Sequence, residues 1–243
     1  MGREPANSIR RQLENAGDRD RVARADRAAK KNYAERLSRE LAQLVADGLR
    51  AEFPGILPSP EGRGQESRAR TARGFKKLDV NYSTPELGLG LGVSIKTLNF
   101  VDPRTERYTK NYTRIDNELR AEAMDYHRRQ PYAVLVALVF LPSDACDDGT
   151  PERKSSLAKA IEIFRFRAGR EHPNDLPELF ERIFLMLYET APERLGELTC
   201  LDVRDKVPKH GRPQRNIRTL AQVLQDIVAT YDRRNKPRIE WDE

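Results

Sequence analysis

Apolar positions along the chain recur with periods that change from segment to segment. Between residues 32 and 53, Leu37, Leu41, Leu44, Val45 and Leu49 fall at helical spacing, and Pro54-Gly55 closes the run, which predicts an amphipathic helix. The first 30 residues are almost all polar, with arginines and acids interspersed, and predict an exposed helix or a mobile arm. Residues 54 to 74 are rich in Pro, Gly, Ser and Arg, the composition of a surface loop. A β-hairpin follows over about residues 75 to 98, turned by Pro85 and glycines, and residues 99 to 112 read as a loop carrying basic and aromatic side chains.

Thr113 or Asp116 is placed to cap a helix running to Arg129, where Gln130-Pro131 stops it. The unbroken apolar stretch 132 to 141, bounded by Pro131 and Pro142, predicts a strand covered on both faces. Beyond the acidic loop "SDACDDG", Ser155 or Ser156 caps a helix to Arg167, and "DLPELFERIFLMLYE" reads as a second, strongly apolar helix. "LGELTCLDV" reads as a strand, "RDKVPKHGRPQRNIR" as a basic loop and "TLAQVLQDIVATYDRR" as an amphipathic helix; no internal repeat is present. The order predicts an α/β protein with a mixed sheet flanked by helices. Its parts would be a polar segment 1 to 30, an α/β core 31 to 142, and a helical extension 143 to 243 packed on that core.

Charged residues make up 34% of the chain, yet the apolar runs supply a core for its 243 residues. No stretch reaches the roughly 20 apolar residues of a membrane helix, and the N-terminus lacks a secretory signal, so a cytoplasmic protein with no membrane partner is expected. Cys146 and Cys200 form no motif and are expected to be ordinary thiols; His127, His172 and His210 are scattered and expected to be surface or partner-contact residues. The net charge of +6 and pI of about 9.4 favour a polyanionic partner, although a solvated basic surface accounts for them equally well.

Candidate chemistry sits in "KKLDVNYSTPELGLGLGVSIKT", residues 76 to 97. Strand alternation puts Ser94 and Lys96 on one face and Val93, Ile95 and Thr97 on the other, and hairpin pairing brings Asp79 toward the same cleft as Lys96. An acid, a lysine and this order of elements resemble the catalytic hairpin of the PD-(D/E)xK nuclease superfamily, over about residues 35 to 141. The resemblance implies a restriction-endonuclease-like fold in which Asp79, the Ile95 carbonyl and a further acid hold magnesium, or manganese in its place, and Lys96 orients the attacking water. Ser94 stands where that family has Asp or Glu. Some restriction enzymes with Ser-x-Lys take the missing carboxylate from the following helix, where Glu118 and Glu122 share a face. Glu118 is favoured for lying nearer the helix start, then Glu122, then Glu86 in the turn; Glu40 on the first helix is a further, more distant acid.

The resemblance thus implies a magnesium-dependent DNA endonuclease serving restriction or phage defence, as a homodimer or within a larger complex. Charge and proximity nominate Arg68, Arg70, Arg73, Arg107, Lys110, Arg114, Lys209, Arg212 and Arg215 as contacts to DNA, chiefly to phosphates. Alternative readings are an inactive nucleic-acid-binding or scaffold protein of the same fold, and a helical interaction module in which the polar N-terminal 50 residues and the apolar "LFERIFLMLYE" segment mediate assembly with another chain.

Overall fold

The computed structural model describes residues 7 to 86 and 88 to 235. Short helices α1 (Arg10–Ala16) and α2 (Arg19–Ala23) precede the long α3 (Arg27–Leu49), whose N-terminus is capped by the Asp26 carboxylate accepting from the Ala29 N–H. Of the two expectations for the first 30 residues, an exposed helix or a mobile arm, the helical one is nearer: from Asn7 onward the segment forms short, largely exposed helices docked on α3. Ile9, Leu13 and Ala16 are buried in the same core as Leu37, Leu41 and Val45 of α3, so three apolar side chains suffice to anchor an otherwise polar segment; residues 1 to 6 lie outside the described part.

The predicted surface loop 54 to 74 contains a strand, β1 (Ser67–Thr71), which pairs antiparallel with β2 (Gly74–Leu78) to make a separate two-stranded ribbon. The strand is concealed in sequence because its outward positions are arginines and its inward ones are only Ala69 and Thr71. The hairpin proper is β3 (Val80–Thr84) with β4 (Gly88–Thr97). Gly92 of β4 is needed where the ribbon meets the sheet: a Cβ there would lie 2.9 Å from Leu135 Cδ2 and 3.0 Å from Leu78 Cδ1.

Helix α4 (Tyr112–His127) leads to β5 (Val134–Pro142), every residue of which is buried, as the unbroken apolar run implied. Asp116 is not its cap but sits within the helix, paired with Arg167 at 2.7 Å. Ser155 caps α5 (Ser156–Phe164) by accepting from the Ala158 N–H. The segment read as a second apolar helix is a strand, β6 (Arg182–Tyr188), parallel to β5. A six-residue apolar run, Ile183 to Tyr188, buried on both faces carries no period that separates strand from helix, and Leu and Met favour the wrong choice. Its burial in the sheet also removes it as a surface for helical assembly. Strand β7 (Leu198–Asp202) pairs antiparallel with β6, and α6 (Leu220–Arg234) starts at a capping box made by Thr219 and Gln222.

The result is an α/β protein whose five-stranded mixed sheet runs β3-β4-β5-β6-β7. Residues 143 to 243, expected to be helical, therefore contribute two strands of the same sheet. One face carries Leu91, Val93, Val136, Leu138 and Phe184 against α1, α3 and α6; the other carries Leu135, Ala137, Val139, Ile183 and Leu185 against α4 and α5. Helices thus cover both faces of a sheet whose central strands are parallel. Among the described residues no helix is long and apolar enough to cross a membrane.

Candidate active site

β3 and β4 diverge at one end of their ladder, where Val80 pairs with Val93, so Asp79 stands at the edge of β4 next to Ile95. Its Oδ2 accepts the Ile95 N–H at 2.6 Å. N–H and C=O of one strand residue point to the same side, so the Ile95 carbonyl faces this edge too, beyond the end of the β3 ladder. On the face toward α4, Ser94 Oγ donates to Glu122 Oε2 at 3.1 Å, and Lys96 Nζ lies 3.4 Å from the same oxygen. The alternation inferred for β4 therefore holds: Ser94 and Lys96 share the α4 side while Val93 and Ile95 join the opposite core.

A cavity of about 240 Å³ opens over Asp79, Ile95, Lys96 and Thr97 of the hairpin, walled by Arg114 and Glu118 from α4 and by Lys31, Glu35, Ser38 and Arg39 from α3, with Gln65 and Glu66 at the ribbon's base; Ser94 and Glu122 lie beside Lys96 but do not line it. Burial pushes the Asp79 carboxyl up to about 6, against the Ile95 N–H and the Lys96 charge, which act to lower it. For Lys96 burial works to lower the pKa, and Glu122 and Asp79 more than offset it, so the ammonium is held above its ordinary value. Lys96 is a fixed positive charge between two carboxylates.

The glutamate in contact with Lys96 and Ser94 is Glu122, the second choice from sequence. Glu118 lies one turn earlier, on the cavity wall, where it pairs with Arg114. Nearness to the helix start was the wrong guide to contact, because it is the third turn of α4, carrying Glu122, that faces Ser94. Glu86 is exposed in the β3–β4 turn. Glu40 faces α1, accepting from Asn15 Nδ2 at 2.7 Å, and the α3 acid that does reach the cavity is Glu35, which sequence reasoning passed over. A signal for it existed: Lys31, Glu35, Ser38 and Arg39 share one helical stripe.

Among the nominated basic residues, Arg114 lines the cavity; Arg68, Arg70 and Arg73 are exposed on the ribbon. Arg107 is buried, donating to the Lys154 carbonyl at 2.5 Å and lying 3.7 Å from Asp148, so it is spent inside the fold. Lys110 pairs with Asp102, and Arg212 with Glu189, while Lys209 and Arg215 are exposed in the β7–α6 loop. His127, expected at the surface, is buried beside Glu181; His172 and His210 are exposed. Cys146 and Cys200 are buried free thiols, each pushed up to about 12 by burial.

Among the described residues no group of three or more His, Cys, Asp and Glu side chains is placed to hold a metal. The oxygen donors at the cavity are Asp79, Ile95 and Glu118 on its lining, with Glu122 beside Lys96; oxygen is the ligand type that magnesium takes, commonly one or two carboxylates with water and phosphate. The chain matches no family model, no curated protein and no solved structure.

Proposed function

We propose that the protein is a metal-dependent phosphodiesterase acting on DNA, built on the restriction-endonuclease-like plan. The observation that carries the reading is that Asp79, Ile95 and Lys96, at the carboxyl end of β4, line an open cavity together with Glu118, while Glu122 holds Lys96 from beside it. The succession of α3, the β3–β4 hairpin, α4 and β5 supports the fold assignment, because it follows the order that the resemblance requires. In open α/β sheets the carboxyl ends of the strands are the favoured place for ligands.

Asp79, Glu122 and the Ile95 carbonyl would hold the magnesium. When bound, it offsets phosphate charge and acidifies water. The chain's own groups do the rest. The Lys96 ammonium, kept charged by its two carboxylate neighbours, donates to the phosphate oxygen on which charge accumulates and holds the attacking water in line. The Ile95 N–H fixes one oxygen of Asp79, and Ser94 Oγ fixes one oxygen of Glu122, so both carboxylates are oriented before substrate arrives. Arg114, on the cavity wall, is placed to meet an entering phosphate.

A second reading, a catalytically silent nucleic-acid-binding protein, is favoured by the same Lys96–Glu122 contact, since an ion pair at 3.4 Å is also a structural tie. Incubating the protein with plasmid, single-stranded DNA and RNA, with magnesium or with chelator, separates them. Cleavage that needs the metal and falls about 10³-fold in Lys96→Ala, the scale of losing one preorganised electrostatic group, supports the enzyme. Binding without cleavage by the wild type supports the silent protein.

A further inference from the structure

The β1–β2 ribbon has two chemically different faces. Its register sets Arg68 opposite Lys77 and Arg70 opposite Phe75, so these four side chains share one face, while Ala69, Thr71, Lys76 and Leu78 share the other. The inner face is tied down: Lys76 Nζ pairs with Asp125 at 2.5 Å, the Ala72 N–H donates to the Asp125 carbonyl at 2.9 Å, and Leu78 fills the space left by Gly92. The outer face is exposed, and of its three cations only Lys77 has a carboxylate partner among the described residues, Glu66. Phe75 is 60% exposed, whereas Phe140, Phe164, Phe180 and Phe184 are at most 1% exposed. The Arg70 guanidinium lies over its ring at 5.6 Å, and neither Arg68 nor Arg70 has a carboxylate partner among the described residues.

We propose that this outer face is a platform for single-stranded nucleic acid, with Phe75 stacking on an unpaired base and Arg68, Arg70 and Lys77 holding the flanking phosphates. The proposal rests on the reading of the substrate as nucleic acid and is independent of whether the chain cleaves it. An exposed aromatic among cations is the surface that tracks a single strand, because every base offers a π-face and every linkage a charge. A duplex keeps its bases stacked, so Phe75 would have no base to meet without prising a step apart. The platform also leads to the site. Leu78 ends β2 one residue before Asp79, and Gln65 and Glu66, just before β1, line the cavity. Lys77 is held by Glu66 at 2.7 Å, both groups being half exposed, which is a contact that a phosphate readily displaces.

The test is anisotropy of labelled oligothymidine and of a blunt duplex of equal length, in chelator so that nothing is cut, across a salt series. Phe75→Ala should weaken single-strand binding about tenfold with the salt slope unchanged, Phe75→Trp should restore it, and the duplex should be little affected. The double variant Arg68→Gln with Arg70→Gln should lower the single-strand salt slope by about 1.4, at about 0.7 for each phosphate no longer neutralised. Wild-type single-strand affinity in Phe75→Ala, or an equal loss on the duplex, overturns the platform while leaving the cavity's chemistry standing. A wild-type protein that binds neither oligonucleotide, in magnesium or without it, overturns the nucleic-acid reading as well. The substitutions are on an exposed face, so folding is not at issue; far-ultraviolet circular dichroism checks it.

Discussion

Two carboxylates, the buried Glu181 and the half-buried Asp79, stand near opposite ends of the parallel strands, and desolvation acts to raise both; only one of them is raised. Glu181, at the amino end of β6, accepts the Leu135 N–H at 2.7 Å, Arg170 Nη1 at 3.1 Å and Arg234 Nε at 3.2 Å, with His127 Nε2 at 3.5 Å. These partners overcome desolvation and hold its carboxyl below the usual range. Asp79 has one backbone donor and a more distant ammonium, and desolvation wins, lifting it to about 6. Glu181 is a closed knot: it ties α4, β5, α6 and the segment before β6 together and has no exposed side-chain surface. Asp79 opens on a cavity with hydrogen-bonding capacity unused. The contrast separates a charge cluster closed within the fold from one left incomplete on an open cavity, the arrangement expected of a functional site.

The largest effect on stability should come from breaking the closed knot. Glu181→Gln leaves Arg170 and Arg234 buried without a counter-charge and should cost about 3–5 kcal/mol, read as a lower denaturation midpoint with an unchanged slope. At the open site the sign should reverse. Because the Asp79 carboxyl is raised in the folded protein, the folded state binds its proton more tightly than the unfolded chain does, and the contribution of Asp79 to stability is lost as pH rises from about 4 to about 6. Asp79→Asn keeps an oxygen for the Ile95 N–H but never ionises. It should therefore match the wild type below about pH 4 and exceed it by about 1–3 kcal/mol above pH 6, the worth of a shift of about two pKa units reduced for partial exposure. A variant less stable than wild type at pH 8 would mean that Asp79 is paired as well as Glu181 is. The smallest effect belongs to the cavity wall: Arg114→Ala removes an exposed pair to Glu118 and should change stability by no more than about 0.5 kcal/mol.

Much of this contrast was legible in the chain itself. Strand alternation placed Ser94 and Lys96 together, and the proline-bounded run 132 to 141 gave β5 nearly to its ends, because each is a local pattern read over a few residues. What escaped were relations set by packing. The apolar run of β6 has no local period to betray a strand, and the arginines of β1 masked a ribbon whose inner face needs only Ala69 and Thr71. Glu181, with its partners from four parts of the fold, lay unnoticed inside that mistaken helix, and His127 was assigned to the surface because its partner stands 54 residues further on. The choice between Glu118 and Glu122 turned on where α4 crosses the sheet, which helical periodicity does not encode, since both lie on one face.

That choice is also where the account is tested most directly. Single-turnover cleavage of DNA in magnesium, with enzyme in excess, should be compared for the wild type, Glu122→Gln and Glu118→Gln, each checked for an unchanged unfolding midpoint. Glu122 touches both Ser94 and Lys96, so its amide variant should lose at least about 10²-fold in rate, while Glu118→Gln should stay within about tenfold of the wild type. Full activity in Glu122→Gln, with or without loss in Glu118→Gln, would contradict the assignment of Asp79, Lys96 and Glu122 as one catalytic group.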